Sequence, residues 1–94
     1  MRLVILKPTN TVGKDGLFID NLDLSGCNLP ANLWALQWNE HGDNTGHIEY
    51  NSPSIPNDEI TQIPTWAGDC IDVWQAELDR QAAEAAANEP ATPV

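Results

Sequence analysis

The chain has 94 residues and a formal net charge of −10, from fourteen acidic and four basic residues. A chain of this length predicts a single domain with a small core. It has no run of about 18 apolar residues, which argues against a membrane span. Four basic residues are too few to neutralise a nucleic-acid backbone. We therefore expect one acidic domain that binds neither membrane nor nucleic acid.

The N-terminal quarter of the chain predicts two short strands. Residues 3–6, LVIL, are apolar, and this run is shorter than the roughly 7–15 apolar residues of a secretory signal, so we expect a strand. Residues 9–16 are rich in turn-forming residues and predict a loop. Residues 17–20 predict a second strand, antiparallel to the first. Leu22 and Leu24 fit either a further strand or anchors on an irregular segment.

Residues 33–50 predict the β-hairpin around which the domain is organised. Trp34, Leu36 and Trp38 alternate with smaller or polar residues, and Ile48 and Tyr50 alternate after a glycine-rich polar turn. A period of two places these five side chains on one face of the hairpin. Each contributes roughly 1.5–3 kcal/mol when buried. We therefore expect another element to cover this face.

A long helix is predicted from about residue 65 to residue 87. Trp66, Cys70, Trp74 and Leu78 recur at steps of four and form an apolar stripe. We expect this stripe to pack against the apolar face of the hairpin. The later sequence QAAEAAA, residues 81–87, favours helix but has nothing large to bury.

These elements together predict an α+β fold, namely a small antiparallel sheet of about four strands with one long C-terminal helix packed on one face. The segment between the hairpin and the helix contains three prolines, at residues 53, 56 and 64, and only residues 59–63 in it predict a short extended piece. Residues 1–87 would form a single α+β domain. Residues 88–94, which contain two more prolines, would form a flexible C-terminal tail.

The residue types that carry catalysis or bind metals are sparse. Cys27 and Cys70 are predicted to be free thiols, because no export signal indicates an oxidising compartment. His41 and His47 match no metal-ligand spacing. The sequence contains no nucleophile elbow, phosphate-binding loop or dinucleotide fingerprint. We therefore expect no enzyme activity, no cofactor and no metal.

Four tryptophans are many for a chain of 94 residues. Each lies on a predicted apolar stripe, so packing in the core is the first interpretation. The second interpretation is a surface that binds a partner, where tryptophan and tyrosine are favoured anchors. The sequence leaves both interpretations open for any one of the four.

Four short motifs follow one another in a fixed order: LQW at 36–38, GHIEY at 46–50, NDEI at 57–60 and IPTWA at 63–67. They precede a helix rich in alanine and glutamate, and an apolar strand that ends in KPT at 7–9 opens the chain. In this order the motifs resemble the small tail fibre assembly proteins of tailed bacteriophages. The resemblance covers most of residues 33–87. The chain departs from the pattern of this family in two places: its hairpin turn is longer, and it has two prolines between residues 51 and 56.

The resemblance implies a chaperone that binds the phage tail fibre protein and assists its folding and trimerisation. Such a protein acts in the bacterial host cytoplasm during phage assembly and has no catalytic residues. Whether it stays on the virion, and whether it self-associates, is left open. The partner-binding residues that we expect are the hairpin aromatics that the helix leaves uncovered and small residues of the helix, namely Trp34, Trp38, Tyr50, Gln81, Ala82 and Ala85.

Two other functions fit the composition. One is a small structural component of the phage tail or fibre tip. The other is an acidic inhibitor that mimics DNA, because eight of the fourteen acidic residues lie from residue 58 onward. A mimic should present its carboxylates in a spaced double row. Here many of them lie in an alanine-rich helix and tail, and this arrangement makes a DNA mimic the less favoured interpretation.

Overall fold

The computed structural model describes residues 1–88, which form one antiparallel sheet, one α-helix and a short 3₁₀ helix at Lys7–Thr9. The strands are β1 (Leu3–Leu6), β2 (Thr11–Lys14), β3 (Leu17–Ile19), β4 (Leu33–Trp38), β5 (Gly46–Tyr50) and β6 (Asp58–Ile60), and the helix is α1 (Thr65–Asn88). The strand order across the sheet is β3-β2-β1-β4-β5-β6. The predicted α+β class is confirmed, but the sheet has six strands rather than about four. The predicted tail lies outside the described residues, apart from Asn88, which ends the helix.

The first additional strand, β2, occupies a segment that was predicted as loop. Asp15 and Gly16 have φ values of 52° and 88°, the left-handed pair of a tight hairpin turn whose twist matches that of the flanking strands. This turn joins β2 to β3, with Lys14 opposite Leu17. The prediction that residues 17–20 run antiparallel to the first strand is therefore wrong, because β2 lies between them and is antiparallel to both, so β3 runs parallel to β1. The second additional strand, β6, overlaps the start of the predicted extended piece at residues 59–63.

The central hairpin is formed by β4 and β5, as predicted, but Trp34 does not face the core. The pairing register shifts between Leu33 and Ala35, which makes a β-bulge at Trp34. The extra residue interrupts the period of two. Leu33 consequently takes the core position, whereas Trp34 is 47% exposed. The prediction that Trp34 packs beside Leu36 and Trp38 is wrong for this reason.

One hydrophobic core lies between the sheet and the helix. Leu36, Trp38 and Ile48 of the hairpin share it with Cys70 and Trp74 of α1, which confirms the predicted packing for these residues. Tyr50, Trp66 and Leu78 are half-buried against its margin. The irregular segment between β3 and β4 adds three buried side chains, Leu22, Leu24 and Cys27. Leu22 and Leu24 are therefore anchors on an irregular segment, the second of the two predicted alternatives, and do not form a further strand.

The helix buries a narrower apolar stripe than the one predicted from the spacing of Trp66, Cys70, Trp74 and Leu78. Residues four apart on an α-helix are about 40° out of line, because each residue turns by about 100°. The predicted stripe therefore drifts away from the sheet at both ends. Ala67 and Cys70 are fully buried and Trp74 nearly so, whereas Trp66 and Leu78 are only half-buried. The two small residues allow the helix to approach the sheet closely.

The two cysteines are free thiols within this core. Cys27 is 1% exposed and Cys70 is 0% exposed. Burial, and next the adjacent Cys27, raise the pKa of the Cys70 thiol to about 12. At a pH of about 8 we expect neither thiol of the folded protein to react with a thiol reagent within minutes, because both side chains are buried. In concentrated guanidinium chloride both thiols should react. Rapid modification of either cysteine in native buffer would show that its side chain is accessible in the folded protein.

Candidate functional site

The predicted hairpin anchors differ in how far they remain accessible. Trp38 is 7% exposed and belongs to the core. Tyr50 is half-buried, and its hydroxyl donates a hydrogen bond to Oδ2 of Asp58 on β6. This hydrogen bond is the main cause that raises the pKa of Tyr50, and it fixes the ring. Trp34, at 47% exposed, is the one anchor of the three that the helix leaves uncovered.

Trp34 borders an open groove at the end of the sheet where the chain leaves β5. The groove has a volume of about 450 Å³ and is lined by Trp34, Glu49, Tyr50, Asn51, Ser52, Pro53 and Asn57. On its rim, Oε1 of Glu49 lies 3.1 Å from Nε2 of His47. The groove therefore combines an accessible aromatic ring with a carboxylate and amide groups.

The predicted helix residues lie on a separate surface. Gln81, Ala82 and Ala85 are exposed, as is every residue of α1 from 79 to 87. These nine residues extend the helix past the sheet by about 14 Å, at 1.5 Å per residue. No residue of α1 lines the groove at Trp34. The structure thus separates the hairpin and helix anchors into two surfaces.

Charged side chains stabilise the helix where it leaves the sheet. The Arg80 guanidinium lies 2.7 Å from Oε1 of Glu77 and 2.6 Å from Oε2 of Glu84. Such pairs, three and four residues apart, support a helix that has no tertiary packing. The hydrogen bond from Arg80, followed by one from Gln81, lowers the pKa of Glu77 to about 2. These ion pairs therefore favour the helical conformation of residues 77–84.

The sheet ends in two edge strands of different chemistry. The β3 edge exposes Leu17 and Phe18, which are 49% and 52% exposed. The β6 edge exposes Asp58 and Glu59. Charged residues on an edge strand discourage pairing with another chain, whereas apolar side chains on an edge permit it. The sequence signal for this edge is the Asp15-Gly16 pair, whose positive φ angles form the hairpin turn before β3.

The β3 edge is also tied into the domain. The Trp74 indole Nε1 donates a hydrogen bond of 3.0 Å to the Leu17 carbonyl oxygen. Lys14 Nζ lies 5.4 Å from the centre of the Trp74 ring, a distance that allows a cation–π contact. The Phe18 ring covers Gly13 on the neighbouring strand, at the place where a side chain would otherwise be. These contacts hold the edge in place.

Both histidines line one small groove of about 180 Å³, together with Glu40 and Glu59. His41 is exposed, and its Nε2 lies 4.0 Å from Oε2 of Glu40, while His47 pairs with Glu49. Among residues 1–88, no group of three or more histidine, cysteine, aspartate or glutamate side chains is placed to hold a metal ion. In the same part of the chain, no helix combines the length and apolar character that crossing a membrane requires.

Three accessible features of residues 1–88 are thus the Trp34 groove, the apolar β3 edge and the helix extension. Each could contact a macromolecular partner, through an aromatic anchor, a strand edge or a helix surface respectively. No family model, curated protein or solved structure matches the chain.

Proposed function

We propose that this chain is a phage tail fibre assembly chaperone, which binds the fibre protein in the host cytoplasm and assists its folding and trimerisation. The observation that carries the proposal is the apolar β3 edge, where Leu17 and Phe18 are about half exposed on a domain of net charge −10. The order of the four motifs supports the same assignment. No catalytic step is part of the proposed function.

The mechanism follows from the physics of fibre folding. Long-range β pairing forms slowly, and until it is complete the unpaired strand edges promote aggregation. A chaperone with an apolar edge strand can cover such an edge by adding its own strand to the partner's sheet. Its high net charge keeps the complex soluble meanwhile.

The β3 edge is the better candidate for strand addition than the hairpin itself. Both β4 and β5 have a paired strand on each side, so neither offers a free edge. The β6 edge is acidic, with Asp58 and Glu59 exposed, and charge of this kind opposes strand addition. The hairpin would contribute its exposed Trp34 as an anchor, and the helix extension would provide the second contact.

Co-expression with the cognate fibre gene tests the proposal. A fibre made alone should be insoluble or monomeric, and one made with this chain should be a soluble trimer. Equal yields of native trimer with and without the chain would refute the chaperone function. Recovery of the chain from purified mature virions would instead favour a structural component. Capture of a host nuclease or polymerase would favour a DNA mimic, which the pairing of Glu77 and Glu84 with Arg80 supports less well.

A matched pair of variants tests which edge makes the contact. Phe18→Lys places a positive charge on the β3 edge, and Thr61→Lys places the same charge on an exposed residue directly after β6. We expect Phe18→Lys to lower the trimer yield several-fold and Thr61→Lys to leave it unchanged, since charge on an edge blocks strand addition. Circular dichroism should show that both variants are folded. Equal yields would keep the chaperone function but refute the β3 contact.

The helix extension is tested by a chain that ends after Leu78. Residues 79–87 are all exposed, and none of them belongs to the hydrophobic core. The shortened chain should therefore unfold at nearly the same urea concentration as the full chain. We expect it to assist trimer formation less well than the full chain. An unchanged trimer yield would remove Gln81, Ala82 and Ala85 from the proposed contact surface.

A further inference from the structure

Trp34 stands apart from the other large aromatic residues of the domain. Trp38 and Trp74 are buried, Trp66 is half-buried against the core, and the half-exposed Phe18 covers Gly13. Trp34 is 47% exposed because the bulge in β4 turns it out of the core. A bulge commonly re-aims a side chain towards a functional surface. An exposed tryptophan also forgoes much of the stabilisation that burial would give.

The groove beside Trp34 has the composition of a site for a cation. Besides the indole ring, it presents the Glu49 carboxylate and the side-chain amides of Asn51 and Asn57, and none of the described residues that line it is basic. The Glu49 side chain is 37% exposed, and its contact with His47 engages only Oε1. A carboxylate has further lone pairs for other donors. Asp58, which accepts the Tyr50 hydrogen bond, adds a second carboxylate beside the wall formed by Tyr50.

We propose that this groove binds an arginine side chain of a partner protein, with the guanidinium stacked on Trp34 and hydrogen-bonded to Glu49. A guanidinium is planar, stacks on aromatic faces and donates paired hydrogen bonds to a carboxylate. It is also less strongly hydrated than an ammonium group, so arginine is bound in preference to lysine. The net charge of −10 attracts a cation from a distance. The inference holds whichever protein carries the arginine, so it does not depend on the fibre function.

A peptide titration tests the site directly. The probe is acetyl-Gly-Gly-Arg-Gly-Gly-amide, and the control peptide carries citrulline, which has the shape of arginine without its charge. Both are added to the full ¹⁵N-labelled chain, whose four tryptophans give separate indole N–H signals. We expect the arginine peptide to shift the Trp34 signal saturably, with a Kd on the order of millimolar, as suits a single anchored side chain. The citrulline peptide should bind at least about tenfold more weakly.

Two further variants separate the groove from the general charge of the protein. Glu49→Gln removes a carboxylate from the groove, and Glu59→Gln removes one from the exposed β6 edge, outside the groove. We expect Glu49→Gln to weaken binding about five- to tenfold and Glu59→Gln to change it less than about twofold, because a contact carboxylate acts through a charge-assisted hydrogen bond. The proposal is overturned if the citrulline peptide binds as well as the arginine peptide, if both variants weaken binding equally, or if the Trp34 signal does not shift.

Discussion

Replacing Trp74 with alanine is expected to destabilise the domain by about 3–5 kcal/mol, the range for truncating a buried tryptophan. Trp74 is 6% exposed and lies in the core. It also donates a hydrogen bond to the Leu17 carbonyl and lies under the ammonium group of Lys14. Its removal therefore leaves a cavity and releases the β2–β3 hairpin from the helix. We expect a large loss in the free energy of unfolding, measured by urea denaturation.

Trp74→Phe provides the control that stays folded. Domains of this size have a total stability of about 5–15 kcal/mol, so the alanine variant can be largely unfolded without denaturant. Phenylalanine keeps an aromatic ring in the core but loses the hydrogen bond to Leu17, which costs about 1 kcal/mol, and part of the buried area. We expect a loss of about 1–2 kcal/mol in total. Unchanged urea midpoints for both variants would show that Trp74 does not hold the helix to the sheet.

The sequence predicted the longest elements of this fold because their periodic signal is local. The helix, with its apolar stripe, and the hairpin at residues 33–50, with its two alternating runs, are both observed. The strands β2 and β6 contain four and three residues, too few to establish a period. Such strands form because a neighbouring strand is already in place, β1 for β2 and β5 for β6. Propensity of the segment alone does not decide them.

The sequence predicted which residues could belong to the candidate site, but not which of them are exposed. Alternation placed Trp34, Trp38 and Tyr50 on one face, but a single bulge decides that Trp34 alone is turned outward. The bulge depends on how β4 pairs with β5, and the residue types of β4 contain no local signal that predicts a bulge. The apolar β3 edge had a local signal in the Asp15-Gly16 pair, which typically forms a two-residue hairpin turn. Recognising that turn would have located β2 and the edge beside it.

The pairing of β4 with β5 also makes a strong prediction for Gly46. In the register of the hairpin Gly46 lies opposite Trp38. A methyl group at residue 46 would overlap the Gln37 carbonyl oxygen and would lie 3.0 Å from the Cα atom of Trp38. Because these are backbone atoms of a central strand, the hairpin itself would have to shift. We expect Gly46→Ala to cost about 3 kcal/mol, the upper end of the usual range for overpacking.

Gly13→Ala is the matched control, because it is the same substitution in another strand of the same sheet. Both variants change the entropy of the unfolded chain equally, so their difference isolates the clash in the folded state. A methyl group at residue 13 would overlap only the ring of Phe18, which is 52% exposed and can rotate into solvent. Alanine is also better than glycine within a strand by roughly 0.5–1 kcal/mol. We therefore expect the urea midpoint of Gly13→Ala to stay near that of the parent while that of Gly46→Ala falls, and equal midpoints would show that β4 and β5 are not paired in this register.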